Sequence, residues 1–181
     1  ARQCSRLLCG GVKEIMDLPI KTDDVRFSLP EVLDMVSTEK FHDEKVKILQ
    51  LNENLGLQIF LKALLHPNIT FKLPRGSIPT VKSVEEVDGT PSTGLYQLNE
   101  LHKFISGTQS CEALNDISRE RQFMSLCDTL TETEQEALTA LKDKDRSKWP
   151  GIYDQCVVEA FPEMFSDSEK KLLDPNIPKP K

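Results

Sequence analysis

The longest apolar run in the sequence, LGLQIFLKALL, limits most strongly what this chain can fold into. Its large apolar residues recur at helical spacing: Leu57, Phe60, Leu61, Leu64 and Leu65. This spacing predicts a central core helix over Leu55–Leu65, with Gln58 and Lys62 on the opposite, outward side. The run falls well short of the roughly 20 apolar residues that span a bilayer. We therefore predict no transmembrane segment and no contact with a membrane.

Start signals place further helices on either side of this run. Capping boxes, in which two residues three apart exchange hydrogen bonds with the backbone, are predicted at Ser28–Glu31 and Thr131–Glu134. Asp43 is expected to cap a second helix after a break at 41–42. Helical spacing also predicts helices within 93–106 and 114–130. The second of these carries Ile117, Arg121, Met124 and Leu126.

The other segments are predicted to be extended or irregular. Ile69–Leu73 alternates apolar and polar residues, and 74–94 holds three prolines and three glycines, which favour a long loop. The predicted fold class is therefore all-α: a compact multi-helix domain with one long Pro/Gly loop and extended N- and C-terminal arms. We place an N-terminal arm at 1–27, the domain at 28–165, and a short helix with a Pro-rich tail at 166–181.

Composition narrows the chemistry that this chain could carry. The five cysteines are widely spaced without a CxxC pair, which favours reduced thiols. The three histidines lie far apart, and no Walker A or GxGxxG pattern occurs, so we predict no metal and no cofactor. The N-terminal residues lack an apolar core long enough for a signal peptide, and we expect no secretion. The net charge of −6 opposes association with a phosphate backbone.

One short segment is locally basic despite that overall charge. Four cations alternate with two aspartates in it: Lys142, Lys144, Arg146 and Lys148. We call this segment, Lys142–Lys148, the basic turn. Its four cations, with Arg75 in the long loop, are the candidate nucleic-acid contacts. Backbone N–H groups near Gly151 could add to a phosphate site. The other interpretation is a solvated turn whose charges pair with one another. Trp149 and Tyr153 could stack on bases or anchor the turn to the core.

The stretch Ala137–Phe165 and the pieces before it resemble a known family. Six pieces match in order, namely Leu29–Ser37, Glu44–Glu53, Leu55–Leu65, Ile69–Leu73, Pro74–Gly94 and Leu98–Ser106. The segments Lys142–Asp145, Gly151 and Val157–Phe165 then correspond to a closing signature of the form KDL-x-x-G, short helix, V-x-P-G-L-I. This order is similar to the N-terminal helical, DNA-gripping domain of ATP-dependent DNA ligases from tailed phages, over about three-quarters of the chain.

The resemblance implies a stand-alone, non-catalytic phage protein in the host cytoplasm or the virion. The chain departs from the family where Lys144 replaces an aliphatic residue and where Glu163-Met164-Phe165 replaces Gly-Leu-Ile. Ligase adenylation needs a lysine nucleophile in a K-x-D-G motif, and Glu86 stands at that position before Asp88. Because 16 residues follow Phe165, too few for a nucleotidyltransferase fold, we expect no enzymatic activity.

Two functions stay open on the sequence alone. The first is a DNA-binding accessory module that grips duplex phosphates without regard to sequence through the basic turn and Arg75. The second is a structural or protein-interaction component of a phage particle or assembly, which keeps the fold and contacts other phage proteins through its terminal arms. The resemblance favours the first, whereas the acidic balance and the two extended ends favour the second.

Overall fold

The computed structural model of this protein describes residues 25–77, 79 and 82–173. Eight α-helices lie within this part of the chain: α1 (Leu29–Thr38), α2 (His42–Leu51), α3 (Leu55–Leu65), α4 (Gln109–Glu112), α5 (Asp116–Cys127), α6 (Glu132–Lys142), α7 (Asp154–Ala160) and α8 (Asp167–Lys170). Three 3-10 turns connect them, at Gly94–Gln97, Leu101–Phe104 and Arg146–Lys148. The all-α prediction is confirmed, since the described residues form no strand.

Most of the predicted N-terminal arm and the Pro-rich tail lie outside the described residues. The short helix predicted after Phe165 is present as α8. No described helix is both long and apolar enough to cross a bilayer.

Capping sets the ends of the helices. Both predicted capping boxes form, and at α1 the Ser28 amide donates to the Glu31 carboxylate over 2.7 Å. The start of α2 differs from the prediction, because Phe41 is its N-cap and Asp43 lies in the first turn. There the Asp43 carboxylate suits the positive end of the helix dipole. Local sequence therefore decides most helix ends in this chain.

The core is built around α3, whose residues from Gly56 to Leu65 are all buried. Trp149 is 1% exposed, packs edge-on against Phe60 at 5.9 Å and donates its indole N–H to Asp34 over 3.2 Å. The indole therefore anchors the turn, as one of the two interpretations proposed. Gly151 lets the chain pass α1, because a Cβ atom there would lie 1.9 Å from the Ser37 carbonyl oxygen.

The prediction that Gln58 and Lys62 lie on an outward, exposed side of α3 is wrong. Gln58 and Lys62 are 7% and 2% exposed, respectively. The chain after α7 covers this side of the helix, and the Lys62 ammonium donates to the Met164 carbonyl over 2.7 Å. Helical spacing alone could not show this, because a helix enclosed on all sides buries its polar residues when partners reach them.

Two further segments differ from the expected helices. The residues predicted as a helix within 93–106 form two 3-10 turns, although the apolar residues at its helical positions are buried. In α5 the buried face consists of Arg119, Phe123 and Cys127, and Ile117 is 71% exposed. Arg119 takes the inward position because its guanidinium donates to the Cys111 and Leu114 carbonyls. The predicted extended segment is present, with Phe71 bridged to Ile105.

Candidate functional site

In the basic turn, Lys142–Lys148, the ammonium groups of Lys142 and Lys144 are directed into the protein. Lys142 is 5% exposed, and its ammonium donates to the Pro74 carbonyl over 2.6 Å and pairs with Asp143 at 2.5 Å. Asp143 in turn accepts the Gly76 amide over 3.0 Å, so Lys142 and Asp143 fasten the beginning of the long loop to the end of α6. The Lys142 ammonium thus serves as an internal fastening.

Lys144 hydrogen-bonds to carbonyl groups at the C-terminal end of α3, although it lies far from that helix in sequence. Its ammonium donates to the carbonyl of Ala63 in the last turn of α3, where Pro67 offers no N–H group. It also donates to the carbonyl of His66, which accepts the Ile69 amide as well, over 3.2 Å. The residue has a φ of +56°, a left-handed conformation that is strained for a non-glycine residue. Burial, and to a smaller extent the nearby Arg146 guanidinium, together lower the pKa of the Lys144 ammonium to about 8. The side chain is thus held for structure at some electrostatic cost.

The other cations of the prediction have acidic partners or lie elsewhere. The Arg146 guanidinium pairs with the buried Asp154 carboxylate at 2.7 Å, and Lys148 pairs with Glu136 at 3.1 Å. Arg75 is exposed in the loop, next to the Gly76 amide that Asp143 holds. The four predicted cations of the turn therefore lie at or just after the end of α6 along the chain, but each of them has its own partner. Their contact with nucleic acid stays a prediction.

A second candidate site is an open cleft of about 670 Å³ beside the start of α1. Its walls are the segment 26–34, the loop segment 84–93 and the first turn of α6. The loop wall is fastened to the helical body by the Val84 amide, which donates to the Leu130 carbonyl over 2.9 Å. The Thr133 hydroxyl also donates to Glu86 over 2.8 Å. The cleft is consequently a shaped depression with a fixed wall.

Among the described residues that line the cleft, Arg26 is the one cation, and five carry carboxylates: Glu31, Asp34, Glu85, Glu86 and Asp88. Two of them have hydrogen-bond donors: Glu31 accepts the Ser28 amide at the start of α1, and Asp34 accepts the indole N–H of Trp149. Glu85 and Asp88 are exposed to solvent, and within the described residues neither makes an ion pair. Close to these acids the cleft therefore has unneutralised negative charge.

Apolar side chains lie among these carboxylates. Phe27, Val84 and Val87 are 41%, 48% and 67% exposed. The turn that carries Val87 is closed by the Thr90 amide, which donates to the Val87 carbonyl over 3.1 Å, and by Gly89 at a φ of +76°. Exposed apolar residues beside an open depression are typical of a surface that binds another molecule.

The sequence predicts a long loop over 74–94, in which the Glu85-Glu86 pair forms an acidic patch. The available signal was the alternation of valines and acids over 84–88, in a loop whose length already favoured function. The contribution of Phe27 and α1 had no such signal, because it depends on where the loop packs. The sequence therefore offered a signal for the loop wall of the cleft but none for the wall formed by Phe27 and α1.

A third cluster joins α2 to α7 and was missed entirely. His42 lies between the Tyr153 hydroxyl, which contacts its Nδ1, and the Glu159 carboxylate, 2.5 Å from its Nε2. The hydrogen bond from His42 lowers the pKa of Glu159, whereas burial raises the pKa of Tyr153. A raised pKa disfavours the phenolate that a tyrosine nucleophile needs. We interpret the cluster as a fastening between two helices.

Comparisons with known proteins connect the chain to a family but not to a function. No curated protein and no solved structure matches it. The resemblance to phage DNA ligases therefore stays a prediction. Residues 32–148, well over half of the chain, match the profile of DUF6433, a family of unknown function. This match includes the loop wall of the cleft and the whole basic turn, and the chain belongs to the DUF6433 family.

Proposed function

We propose that this chain is a non-catalytic protein-interaction component that binds a cationic segment of a partner protein in its acidic cleft. The observation that carries the proposal is the open cleft, where exposed carboxylates and exposed apolar side chains lie together. The resemblance to the phage ligase domain implies a phage protein, and a phage particle or assembly, in the host cytoplasm or the virion, is the setting that we propose. The protein acts there as an adaptor between subunits.

The chemistry of the cleft defines its partner. Lysine or arginine side chains would pair with Glu85 and Asp88, and apolar residues between them would pack on Val84 and Val87. Each exposed ion pair contributes about 0.2–1 kcal/mol and weakens with salt. Burial of the two valines adds a contribution that salt does not weaken. We therefore expect weak binding, in which salt removes part of the affinity.

The charge distribution supports a protein partner over DNA. In the basic turn, Lys142 and Lys144 donate to backbone carbonyls and Arg146 neutralises a buried carboxylate. A DNA duplex at this surface would have to compete with those contacts for the cations. The net charge of −6 would also repel its phosphates. Because the phosphate contribution falls steeply with salt, the salt dependence of binding separates the two partners.

The experiment is fluorescence anisotropy with two probes, a labelled short peptide in which lysine alternates with valine and a labelled DNA duplex. A second peptide, with glutamate in place of each lysine, controls for the apolar contribution. We expect the lysine peptide to bind, and binding to weaken several-fold between about 50 and 200 mM salt. Binding of the duplex alone would overturn the proposal in favour of the DNA-binding module.

Matched variants locate the binding surface. Glu85→Gln with Asp88→Asn removes two cleft charges, and we expect about a tenfold loss of affinity for the lysine peptide, the sum of two exposed pairs. Glu120→Gln with Asp128→Asn removes two exposed charges from α5 and its end, and it should leave the affinity within twofold. Equal losses in both variants would mean that only the net charge acts, and the cleft would not be the site.

A further inference from the structure

The loop wall of the cleft contains a run of chain that has the character of a single, unpaired strand. Residues 82–87 form no turn or bend. The run lies between Pro79 and Pro91, and no proline within it removes an amide donor that pairing with another chain requires. Val84 and Val87 add a residue type that favours extended chain. The course and the composition of the run therefore suit pairing with a further strand.

Within the described residues, the hydrogen bonds that tie this run to the helical body come from one side. Leu130 and Thr133 bond to the run as described above, and the side-chain amide of Gln135 donates to the Lys82 carbonyl over 2.8 Å. All three partners lie within 130–135, at the start of α6. The run is therefore held in place before a partner arrives, which lowers the cost of ordering it on binding.

The opposite side of the run carries unpaired backbone groups. In an extended chain, alternate residues direct their backbone N–H and C=O groups to opposite sides. Since the Val84 amide is directed to Leu130, we expect the amides of Glu85 and Val87 to be directed away from α6. Among the described residues neither amide has an acceptor, and the Glu85 carbonyl has no donor. Unpaired groups along an extended run are a template for another strand.

We propose that the cationic partner segment binds the cleft in extended conformation and pairs with this run as an added β-strand. The inference rests on the proposed function and names the conformation that the cleft selects in its partner. Because residues 84–88 line the cleft, a strand added to their unpaired side lies within the depression. Its backbone groups meet those of Glu85 and Val87, which is the binding mode known as β-augmentation.

Strand pairing also brings the charged and the apolar contacts together. Directly opposite side chains in a strand pair lie about 4.5–5.5 Å apart. A lysine opposite Glu85 therefore forms an ion pair, and an apolar residue opposite Val87 packs against it. A helical partner would use its own N–H and C=O groups internally and would leave those of the run unpaired. An extended segment thus satisfies groups that a helix cannot.

The first test is residue-resolved amide hydrogen exchange of the whole protein, measured by nuclear magnetic resonance with and without saturating lysine peptide. We expect exchange at Glu85 and Val87 to slow about tenfold or more on binding. The Thr90 amide, already bonded to the Val87 carbonyl, is the internal reference and should change less than about twofold. If the peptide binds and exchange at Glu85 and Val87 is unchanged, strand addition is overturned and the cleft remains a binding site. Absence of binding would overturn the proposed function as well.

A pair of variants at one exposed position separates backbone from side-chain contacts. Val87→Pro removes the amide donor and keeps an apolar side chain, whereas Val87→Ala keeps the donor and removes most of the side chain. The position is 67% exposed, and circular dichroism checks that both variants fold. We expect Val87→Pro to lose about tenfold in affinity for the lysine peptide and Val87→Ala about two- to threefold. An equal or greater loss in Val87→Ala would mean that side-chain packing alone binds the peptide, and would overturn the proposal.

Discussion

The basic turn and the acidic cleft are both loops rich in charge, yet they use charge in opposite ways. In the turn, Lys142 and Lys144 reach carbonyl groups of the core and become part of the fold. In the cleft, Glu85 and Asp88 stay in solvent. A run of charges in a sequence therefore does not reveal whether those charges are available to a partner. What decides is whether an unsatisfied internal group of opposite polarity lies within reach.

The difference has a simple chemical origin. Helix ends and loop crossings leave carbonyl oxygens without donors, and a long lysine side chain can reach them from another segment. A carboxylate only accepts hydrogen bonds, and the N–H groups at the nearby starts of α1 and α6 already have acceptors: Glu31 accepts from Ser28, Glu134 from Thr131, and the Thr131 hydroxyl from Glu134. Of the acids in the loop, Glu86 accepts from the Thr133 hydroxyl, whereas Glu85 and Asp88 form no ion pair within the described residues. The following predictions test this contrast in order of expected effect.

Replacing Lys142 by Ala should produce the largest loss. It removes a buried ammonium and leaves Oδ1 of Asp143 and the Pro74 carbonyl without their donor, which costs about 2–4 kcal/mol of unfolding free energy. Urea denaturation followed by Trp149 fluorescence measures this loss. Arg75→Ala, an exposed cation in the adjacent loop, is the matched control and should change stability by less than about 0.5 kcal/mol. Equal effects would mean that Lys142 is no more internal than Arg75.

Lys144 should make stability depend on pH in the alkaline range. Its pKa is lowered to about 8 in the folded protein from an ordinary value of 10.5, so the unfolded chain binds more protons between those values. Stability contributed by this group is therefore greatest above about pH 10.5 and is lost as the pH falls through about 8. Relative to Lys144→Met, the unmodified protein should gain about 1–2 kcal/mol between pH 7.5 and 9.5 in urea titrations. A constant difference between the two proteins would contradict the burial of this ammonium.

The cleft acids should show the smallest effects on stability. Glu86→Gln weakens the bond from the Thr133 hydroxyl and should cost about 0.5–1 kcal/mol, whereas Glu85→Gln should stay within about 0.5 kcal/mol. Thermal unfolding of the two single variants under the same buffer makes the comparison. If Glu85→Gln proved the more destabilising, this carboxylate would belong to the fold and could not be reserved for a partner.

Much of the fold was predictable because it depends on local rules. The capping boxes at Ser28 and Thr131 and the bounds of α3 follow from residues that are neighbours in sequence. The candidate sites were less predictable. The basic turn was identified as a group, but the acceptors of Lys142 and Lys144 lie 68 to 81 residues away along the chain. The wall of the cleft formed by Phe27 and α1 likewise depends on distant packing.

The sequence by itself determined an all-helical chain, a central helix over Leu55–Leu65 and a long charged loop, because spacing, caps and breakers act within a few residues. Only the tertiary structure decided which charges are internal. Lys62 was predicted outward and is buried beneath the Met164 carbonyl and Glu169, because the segment after α7 returns across α3 and supplies both partners. A charged side chain is buried only where segments distant in sequence supply its hydrogen-bond or ion-pair partners, and a local sequence pattern does not show which segments these are.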